Sequence, residues 1–404
     1  MMKRSAARRR IGTLAFAAML GLAGCGGGGA GSSLPSSTPT TSPSSPVDAV
    51  VSQAYAGNWG VELAIYKNGR ALYQRGYGLR DRGLPDSFGG HDFWGVVQPD
   101  RLFALTRGVF APDANTIFDL ASVSKEFTAA AILLLQQDGK LSVNDPLSKY
   151  FPAFPNATRM SLLDLLHHSS GLVDYNSFGS YPDFSSAYTA FVANGETSYQ
   201  PIVDLLGTFP LQFTPGTQYS YSNSNYLLLG LVVAQVSGET LEMFLQHRIF
   251  GPAGMIQTHQ GFPAPPVTDL ALGYADYGSG PQRSYQPNLA WLAGPGGLTS
   301  TVGDVEKWDR VVSAPGIFTS ATLAQMFAPG PFPQSYGTYA DGWFVSSLNG
   351  HPFVWHDGAM TGYQTVNARF PSDGIDIIIL TNSGSGPDPY YILSQIFPIA
   401  LTMP

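Results

Sequence analysis

Strand-like segments lie near both ends of this chain, and their placement constrains the fold more than any other feature. Near the start, GVELAIYKNGRALYQRGYG (60–78) contains two runs of β-branched and aromatic residues joined at Asn68-Gly69, a dipeptide typical of a hairpin turn. The runs ADGWFVSS, HPFVWHDG, GYQTVNARF and GIDIIILTNSG follow after Gly294. Between about 141 and 290, helical stretches such as LLDLLHH and NYLLLGLVVAQVSG alternate with proline-rich loops. We therefore predict an α/β (α+β) fold, in which an antiparallel sheet built from N- and C-terminal segments is flanked by helices and interrupted by a mainly helical insertion at about 141–290.

Three helices are predicted outside the insertion. PVDAVVSQAYAG (46–57) has the pattern of a short helix, and a last helix is expected near 390–400. In 122–137 the apolar residues recur at helical spacing over a mostly buried helix, which Asp138-Gly139 should end. We assign 47–390 to one domain and 391–404 to the C-terminal helix of the same domain.

Residues 79–115 follow neither the helical nor the strand period, and they are rich in glycine, aspartate and aromatic residues. The aromatic residues are Phe88, Phe93, Trp94, Phe103 and Phe110. Such a segment is either an insertion packed on the surface or a wall of a substrate pocket.

The first 25 residues have the pattern of an export signal. Basic residues at 3, 4 and 8–10 precede an apolar run at 11–23, and LAGC resembles the bacterial lipoprotein cleavage box, in which Cys25 becomes the lipid-bearing first residue. A plain signal peptide is an alternative, and the adjacent arginines also allow twin-arginine export. A membrane-spanning anchor is disfavoured because the run is shorter than the roughly 20 residues of a span. Cys25 is the single cysteine, which favours lipidation over a disulfide.

Residues 26–46, GGGGAGSSLPSSTPTTSPSSP, cannot bury a core and should form a disordered tether. We therefore expect an exported protein, lipid-anchored to the cell envelope on the periplasmic or cell-surface side. Gly26 is not the aspartate that retains lipoproteins in an inner membrane, so attachment to an outer membrane stays open. The chain from Cys25 onward has 16 basic and 28 acidic side chains, a net charge of −12, which argues against a nucleic-acid partner. The sequence leaves the oligomeric state open.

Ser122 and Lys125 are three residues apart at the start of the predicted helix 122–137. Side chains at this spacing lie on one helix face, about 5–6 Å apart at Cβ. A serine hydroxyl is a weak nucleophile until a base takes its proton, and a desolvated lysine can be that base. A single S-x-x-K match also fits a capping serine beside a solvated lysine.

Two further polar sites occur in the sequence. QYSYSNSNYLLLG places Tyr221, Ser222 and Asn223 in a polar loop before an apolar helix, where they could equally be a packing aromatic and two capping residues. HPFVWHDGAMTGY places His356 and Asp357 on a strand that ends in a glycine turn, where a histidine is ordinary.

Taken in order, these three sites resemble the motifs of the serine β-lactamase and penicillin-binding protein superfamily, in the branch of class C β-lactamases, D-alanyl peptidases and related esterases. The similarity covers most of 59–385 and includes LLDLLHHSSGL, FTPGTQYSYSN and AGPGGLTSTVGDVEKW. The resemblance implies that Ser122 is the acylated nucleophile and Lys125 its proton acceptor. It also implies that Tyr221 exchanges protons with the lysine and that Asn223 orients the substrate and the lysine.

The resemblance further implies that His356, Asp357 and Gly358 form the third motif on the strand beside the cleft. The oxyanion hole would then be formed by the backbone N–H groups of Ser122 and Ala359. Where class C β-lactamases have Lys-Thr-Gly, this chain has His-Asp-Gly. Asp357, if it faces the cleft, should repel the carboxylate that β-lactams and D-alanyl peptides present near this strand.

These features predict a serine hydrolase that acts through an acyl-enzyme on a small-molecule ester, hence a carboxylesterase. A D-alanyl-D-alanine carboxypeptidase or other peptidase with a D-aminoacyl substrate, a class C-type β-lactamase, and a non-catalytic surface-tethered binding or receptor module are the alternatives. The sequence contains neither G-x-S-x-G nor H-E-x-x-H. The adjacent His167 and His168 are assigned a structural role, and no metal ion or organic cofactor is expected.

Overall fold

The structure is a computed structural model, and residues 43–404 form one compact unit within it. It describes residues 45–55, 59–82, 110–177, 180–181, 183–195, 198–261, 269–276, 278, 280–284 and 289–404. The predicted signal segment, Cys25 and nearly all of the tether lie outside the described residues. So does most of the aromatic-rich segment 79–115, including Phe88, Phe93, Trp94 and Phe103. Predictions for these segments therefore stay predictions.

The strands, in chain order, are β1 Val61–Lys67, β2 Arg70–Tyr77, β3 Phe118–Asp119, β4 His259–Gln260, β5 Tyr274–Asp276, β6 Pro281–Arg283, β7 Leu298–Ser300, β8 Pro333–Gln334, β9 Gly337–Tyr339, β10 Phe344–Leu348, β11 His351–Met360, β12 Tyr363–Phe370 and β13 Ile375–Thr381. Within the described residues, eight of them form an antiparallel sheet in the order β2-β1-β13-β12-β11-β10-β9-β8. Two smaller groups, β3-β7-β4 and β5-β6, lie apart from it. The predicted sheet of N- and C-terminal segments is thus confirmed.

The hairpin and the central strand show why these residues form the sheet. Asn68 and Gly69 both have positive φ, 52° and 73°, as the predicted tight turn requires. β13 carries the run IDIIILT, which is buried at all but one position because strands cover both of its edges and helices cover its faces. Its register pairs Val61 with Thr381 and Lys67 with Ile375.

The helices are α1 Pro46–Ala54, α2 Ser124–Gln137, α3 Leu162–Leu166, α4 Asp183–Ala193, α5 Gln200–Thr208, α6 Asn223–Ser237, α7 Leu241–Leu245, α8 Gly251–Ala253, α9 Val302–Val311, α10 Ser320–Met326 and α11 Pro389–Thr402. Short 3-10 turns cover Ala121–Val123, Leu147–Lys149, Ala157–Arg159 and Leu289–Leu292, and Gln246–Phe250 forms a π turn. α3 to α8 confirm the mainly helical insertion, to which the structure adds the short strands β4, β5 and β6. α2 is buried from Ser124 through Leu135, as predicted, and ends at Asp138, followed by Gly139 at φ 70°.

Helices cover both faces of the large sheet. On one face, Phe397 of α11 stacks on Phe370 of β12, with ring centroids 3.7 Å apart. On the other, Asn367 of β12 donates to the Glu126 carboxylate of α2, and the indole of Trp308 in α9 donates to the same carboxylate at 2.8 Å. Asn367 and Phe370 are three residues apart on β12, so their side chains point to opposite faces of the sheet. The sheet therefore lies between α11 on one side and α2 with α9 on the other. The start of α2 is thereby placed beside β11 and β12.

Among the described residues, no single helix combines the length and apolarity of a membrane span. The pair 223–237 and 241–253, bent by 73°, meets those criteria only when both helices are counted together.

Candidate active site

Ser122 lies in the 3-10 turn between β3 and α2, rather than inside the α-helix as its spacing from Lys125 predicted. Ala121 before it has φ 46°, in the left-handed region that costs an alanine about 1–2 kcal/mol. The Asp119 carboxylate accepts the backbone N–H of Ala121 at 2.7 Å and so holds this conformation. Strained backbone of this kind is common at functional sites. Ser122, which follows Ala121, is half-buried.

The Lys125 side chain is fully buried, and its Nζ has three polar neighbours. They are Ser122 Oγ at 3.0 Å, Asn223 Oδ1 at 2.9 Å and the carbonyl of Pro295 at 2.6 Å. Burial lowers the pKa of Lys125 to about 7, against the opposing effect of the Asp174 and Asp357 carboxylates. A neutral amine has two N–H groups and one lone pair, which match the two carbonyl acceptors and the Ser122 hydroxyl proton. The predicted pair of nucleophile and base is therefore brought together.

Tyr221 lies on the other side of this pair. Its ring is 4.9 Å from Lys125 Nζ, and its hydroxyl hydrogen-bonds to Ser122. Burial raises the pKa of Tyr221 well above its usual value, and the hydrogen bond to Ser122 acts in the opposite direction. The phenol is accordingly protonated at neutral pH, so it can donate a proton to the group that leaves the substrate carbonyl carbon when Ser122 is acylated.

Asp174 is a residue that the sequence interpretation missed. Its carboxylate accepts Nδ2 of Asn223 at 3.0 and 3.2 Å and the backbone N–H of Asn176 at 3.0 Å. This contact fixes the Asn223 amide so that Oδ1 points to Lys125. Burial raises the pKa of Asp174, while the Asn176 N–H, the Lys125 charge and the Asn223 amide act to lower it. The available signal was an acidic residue just after the framework stretch LLDLLHHSSGL.

The two adjacent histidines have contacts that suit the structural role assigned to them. His168 Nδ1 accepts the backbone N–H of Ser222 at 3.2 Å and Nδ2 of Asn225 at 3.1 Å, and its ring packs 4.3 Å from that of Tyr221. Burial lowers the pKa of His168 far below its usual value, so the ring is neutral. It holds the loop that carries Tyr221. His167 contacts Asp341, with Nε2 and Oδ1 3.1 Å apart.

The third motif lies where β11 passes the nucleophile. A Cβ on Gly358 would lie 2.4 Å from the Leu120 carbonyl oxygen and 2.3 Å from Thr365 Oγ1. Only glycine therefore allows β11 to approach the turn that carries Ser122. His356, on the same strand face, is buried, and its Nδ1 donates to the carbonyl of Asp357 while its Nε2 accepts from the Tyr339 hydroxyl at 2.9 Å.

The third motif carries a neutral histidine and an acidic aspartate, whereas a lysine-containing motif carries a positive charge. Burial and then the Lys125 charge lower the pKa of His356 to about 3, so its ring is neutral. Asp357 points away from the buried His356 face and retains 54% of its side-chain exposure. Desolvation by the surrounding protein raises the pKa of Asp357 to about 6, and the solvent at the exposed side of the carboxylate limits this effect. Its charge acts to raise the pKa of both Lys125 and Tyr221.

Pairing of β10 with β11 ends at Phe344 and Trp355. Beyond that point Asp357 and Ala359 are exposed, and they alternate along β11 with the buried His356 and Gly358. The oxyanion hole formed by the N–H groups of Ser122 and Ala359, and the catalytic roles of the individual residues, stay predictions.

Comparison with known proteins places this geometry in a family. The family model described as Beta-lactamase matches residues 47–396. A putative penicillin-binding protein PbpX of Bacillus subtilis is 32% identical over 325 residues, which cover 78% of this chain and 68% of that protein. A D-aminopeptidase of Gluconobacter oxydans is 25% identical over 85% of this chain and 59% of its own length. The chain thus spans about three fifths to two thirds of the length of these relatives.

Solved structures share the fold. An octameric penicillin-binding protein homologue from Pyrococcus abyssi has a TM-score of 0.70 and 23% identity, covering 88% of this chain and 76% of that chain. A D-amino acid amidase from Ochrobactrum anthropi SV3, complexed with L-phenylalanine amide, has a TM-score of 0.68 and 24% identity, covering 88% and 96%.

Proposed function

The chain belongs to the β-lactamase family of serine hydrolases, and on that premise we propose that it cleaves carboxylic esters through an acyl-enzyme on Ser122. One observation carries the proposal: Lys125 Nζ lies 3.0 Å from Ser122 Oγ, and the pKa of this lysine is lowered to about 7. At neutral pH a large fraction of the lysine is then an unprotonated amine that can accept the serine proton.

In the acylation step, Ser122 Oγ bonds to the ester carbonyl carbon while its proton passes to Lys125 Nζ. The negative charge on the carbonyl oxygen would be met by the backbone N–H groups of Ser122 and Ala359. When the bond to the leaving alcohol breaks, Tyr221 donates its phenol proton to the leaving oxygen and regains one from Lys125. The products are the alcohol and an acylated serine, with lysine and tyrosine back in their starting protonation states. Water then replaces the alcohol in the reverse sequence and releases the carboxylic acid.

The charges at the third motif support an uncharged ester over a carboxylate-bearing substrate. His356 is neutral and Asp357 is negative above its pKa of about 6. A β-lactam or a D-alanyl peptide that placed its carboxylate here would meet a like charge and no cation on β11.

Hydrolysis of D-aminoacyl amides or peptides is the second candidate. It is supported by the similarity to a D-aminopeptidase over 85% of this chain. The amide reaction uses the same groups, with Tyr221 donating its proton to the leaving amine.

The test is hydrolysis of p-nitrophenyl butyrate by the purified protein and by its Ser122→Ala variant. We expect sustained release of p-nitrophenol that disappears in the variant, and a butyryl group on the peptide containing Ser122 after rapid quenching. Equal rates in both proteins would contradict the assignment of the nucleophile. Release of p-nitroaniline from D-aminoacyl p-nitroanilides, without release of p-nitrophenol from the ester, would favour the second candidate. Absence of both activities would favour a non-catalytic binding module.

We also propose that the chain is exported and anchored to the cell envelope by a lipid on Cys25, as LAGC before the glycine-rich tract suggests. Metabolic labelling with a radioactive fatty acid should mark the wild-type protein but not Cys25→Ser. Equal labelling of both would remove this proposal.

A further inference from the structure

The carboxylate of Asp357 is exposed next to Gly358, the residue at which β11 approaches the nucleophile turn. It lies on the stretch of β11 beyond the last residue pair with β10, and 54% of its side chain is exposed. Its neighbours on the strand, His356 and Gly358, are buried, and Gly358 lies against the turn that carries the nucleophile. Asp357 is therefore presented to solvent, one residue from the point where β11 meets the nucleophile turn, rather than to the core.

No cationic side chain neutralises this carboxylate within the described residues. The basic nitrogen found within 4 Å of it there is His356 Nδ1, at 3.7 Å. That nitrogen donates its proton to the carbonyl of Asp357 in a ring that is neutral at physiological pH. The ammonium form of Lys125 acts on Asp357 only at longer range, and Lys125 hydrogen-bonds to other partners.

An exposed aromatic ring packs at the point where the β10–β11 pairing ends. Tyr336, at the turn between β8 and β9, is 38% exposed, and its ring packs 5.0 Å from Phe344, where the β10–β11 pairing ends. Burial raises the pKa of Tyr336 and the Asp357 charge adds to this effect, while the Tyr219 hydroxyl acts to lower the pKa. A carboxylate beside an exposed aromatic ring is the combination that favours an organic cation.

We propose that Asp357 forms a subsite for a cationic nitrogen on the substrate, so that the enzyme selects acyl donors bearing an ammonium group. The inference rests on the proposed acyl-enzyme chemistry and narrows its substrate class. The carboxylate supplies the attraction, Tyr336 supplies a ring face, and the neutral His356 leaves the site without a competing cation. The ammonium group belongs either to the acyl part or to the leaving group, and the two are separated by experiment.

The test compares charged and uncharged isosteres. One pair is butyrylcholine and the ester in which a tert-butyl group replaces trimethylammonium, which places the charge on the leaving group. The other is the p-nitrophenyl ester of γ-butyrobetaine and its tert-butyl isostere, which places the charge on the acyl part. The permanent charge prevents titration of the substrate. For one pair, kcat/KM should favour the cation by roughly fivefold to tenfold in the wild type at about pH 8, a range between exposed and desolvated charge pairs.

Asp357→Asn should bring this ratio close to one, and Asp357→Glu should largely keep it. If Asp357→Asn displaced β11, kcat/KM would fall for the cationic and the uncharged substrate alike, and their ratio would not change. A changed ratio therefore reports the loss of the charge. Asp388→Asn is the matched control, since it removes an exposed carboxylate whose charge also acts on Asp357, and asparagine keeps its cap on α11. Asp388→Asn should retain most of the kcat/KM preference for the cationic substrate.

Two results would overturn the inference: a ratio near one for both pairs in the wild type, or a ratio unchanged by Asp357→Asn. If no ester is hydrolysed, the proposed function fails separately. The subsite is then judged by calorimetric binding of the same isosteres to Ser122→Ala, where the cation should again bind several-fold more tightly only while Asp357 is present.

Discussion

Asp174→Asn should move the acid limb of the pH–rate profile to lower pH, because it removes a carboxylate that favours the protonated form of Lys125. The asparagine oxygen can still accept the Asn223 amide, so the substitution removes charge with little change of shape. In the wild type the pKa of Lys125 is about 7. If the neutral amine is the base, kcat/KM at pH 6 should be about one tenth of its plateau value and should level off above about pH 8.

The assay is kcat/KM for p-nitrophenyl butyrate between about pH 5 and pH 9.5, which reports ionisations of the free enzyme. Asp174→Asn should raise the rate at pH 6 relative to its own plateau. The control is Asp204→Asn, an exposed carboxylate on α5 that contacts Gln200, which should leave the profile unchanged. A wild-type rate that still climbs at pH 9.5 would show that the lysine keeps its ordinary pKa of 10.5. A limb that moves to higher pH in Asp174→Asn would refute the role of its charge.

Three further outcomes follow from the contacts at the site. Tyr221→Phe removes the proton donor to the leaving group and should lower kcat by orders of magnitude with a smaller change in KM, measured against Ser122→Ala as the inactive reference. Gly358→Ala places a methyl group 2.4 Å from the Leu120 carbonyl and should cost roughly 2 kcal/mol or more in urea unfolding as well as activity; a fully stable variant would contradict the close approach. Burial raises the pKa of Glu126 well above 4.5, so the folded state retains a proton that the unfolded chain loses, and stability should fall as pH rises above 4.5. Glu126→Gln should weaken that fall, which is measured as the change in the urea midpoint between pH 5 and pH 8. An equal change in the wild type and the variant would exclude Glu126 as its source.

The large sheet was predictable because local chemistry specifies it. Asn68-Gly69 defines a hairpin turn, and the isoleucine-rich run of β13 suits a strand covered on both faces. The short strands β8 and β9 carry too few residues for a period to be recognised. The strands were thus predicted where the apolar pattern is long and missed where it is short.

The order of the three motifs predicted which residues would meet at the site, but the sequence could not supply their environment. The positive φ of Ala121 depends on a contact with Asp119 and on the approach of β11, neither of which is a local preference of alanine. The lowered pKa of Lys125 comes from burial, which depends on residues brought in from the helical insertion and from Pro295. Asp174 was missed because its partner Asn223 lies 49 residues further along the chain.

The position of β13 between β1 and β12 affects how the sheet can fold during translation. Val61 pairs with Thr381, so β1 waits until β13 has been synthesised before its second edge is covered. Until Thr381 has emerged, the β1–β2 hairpin has no neighbour in the middle of the sheet. Pairing across such sequence distances is slow, and strand edges left open during the delay invite aggregation. The large sheet is therefore expected to form only after β13 has been synthesised, and a chain that stops before β13 should lose the centre of the sheet rather than its edge.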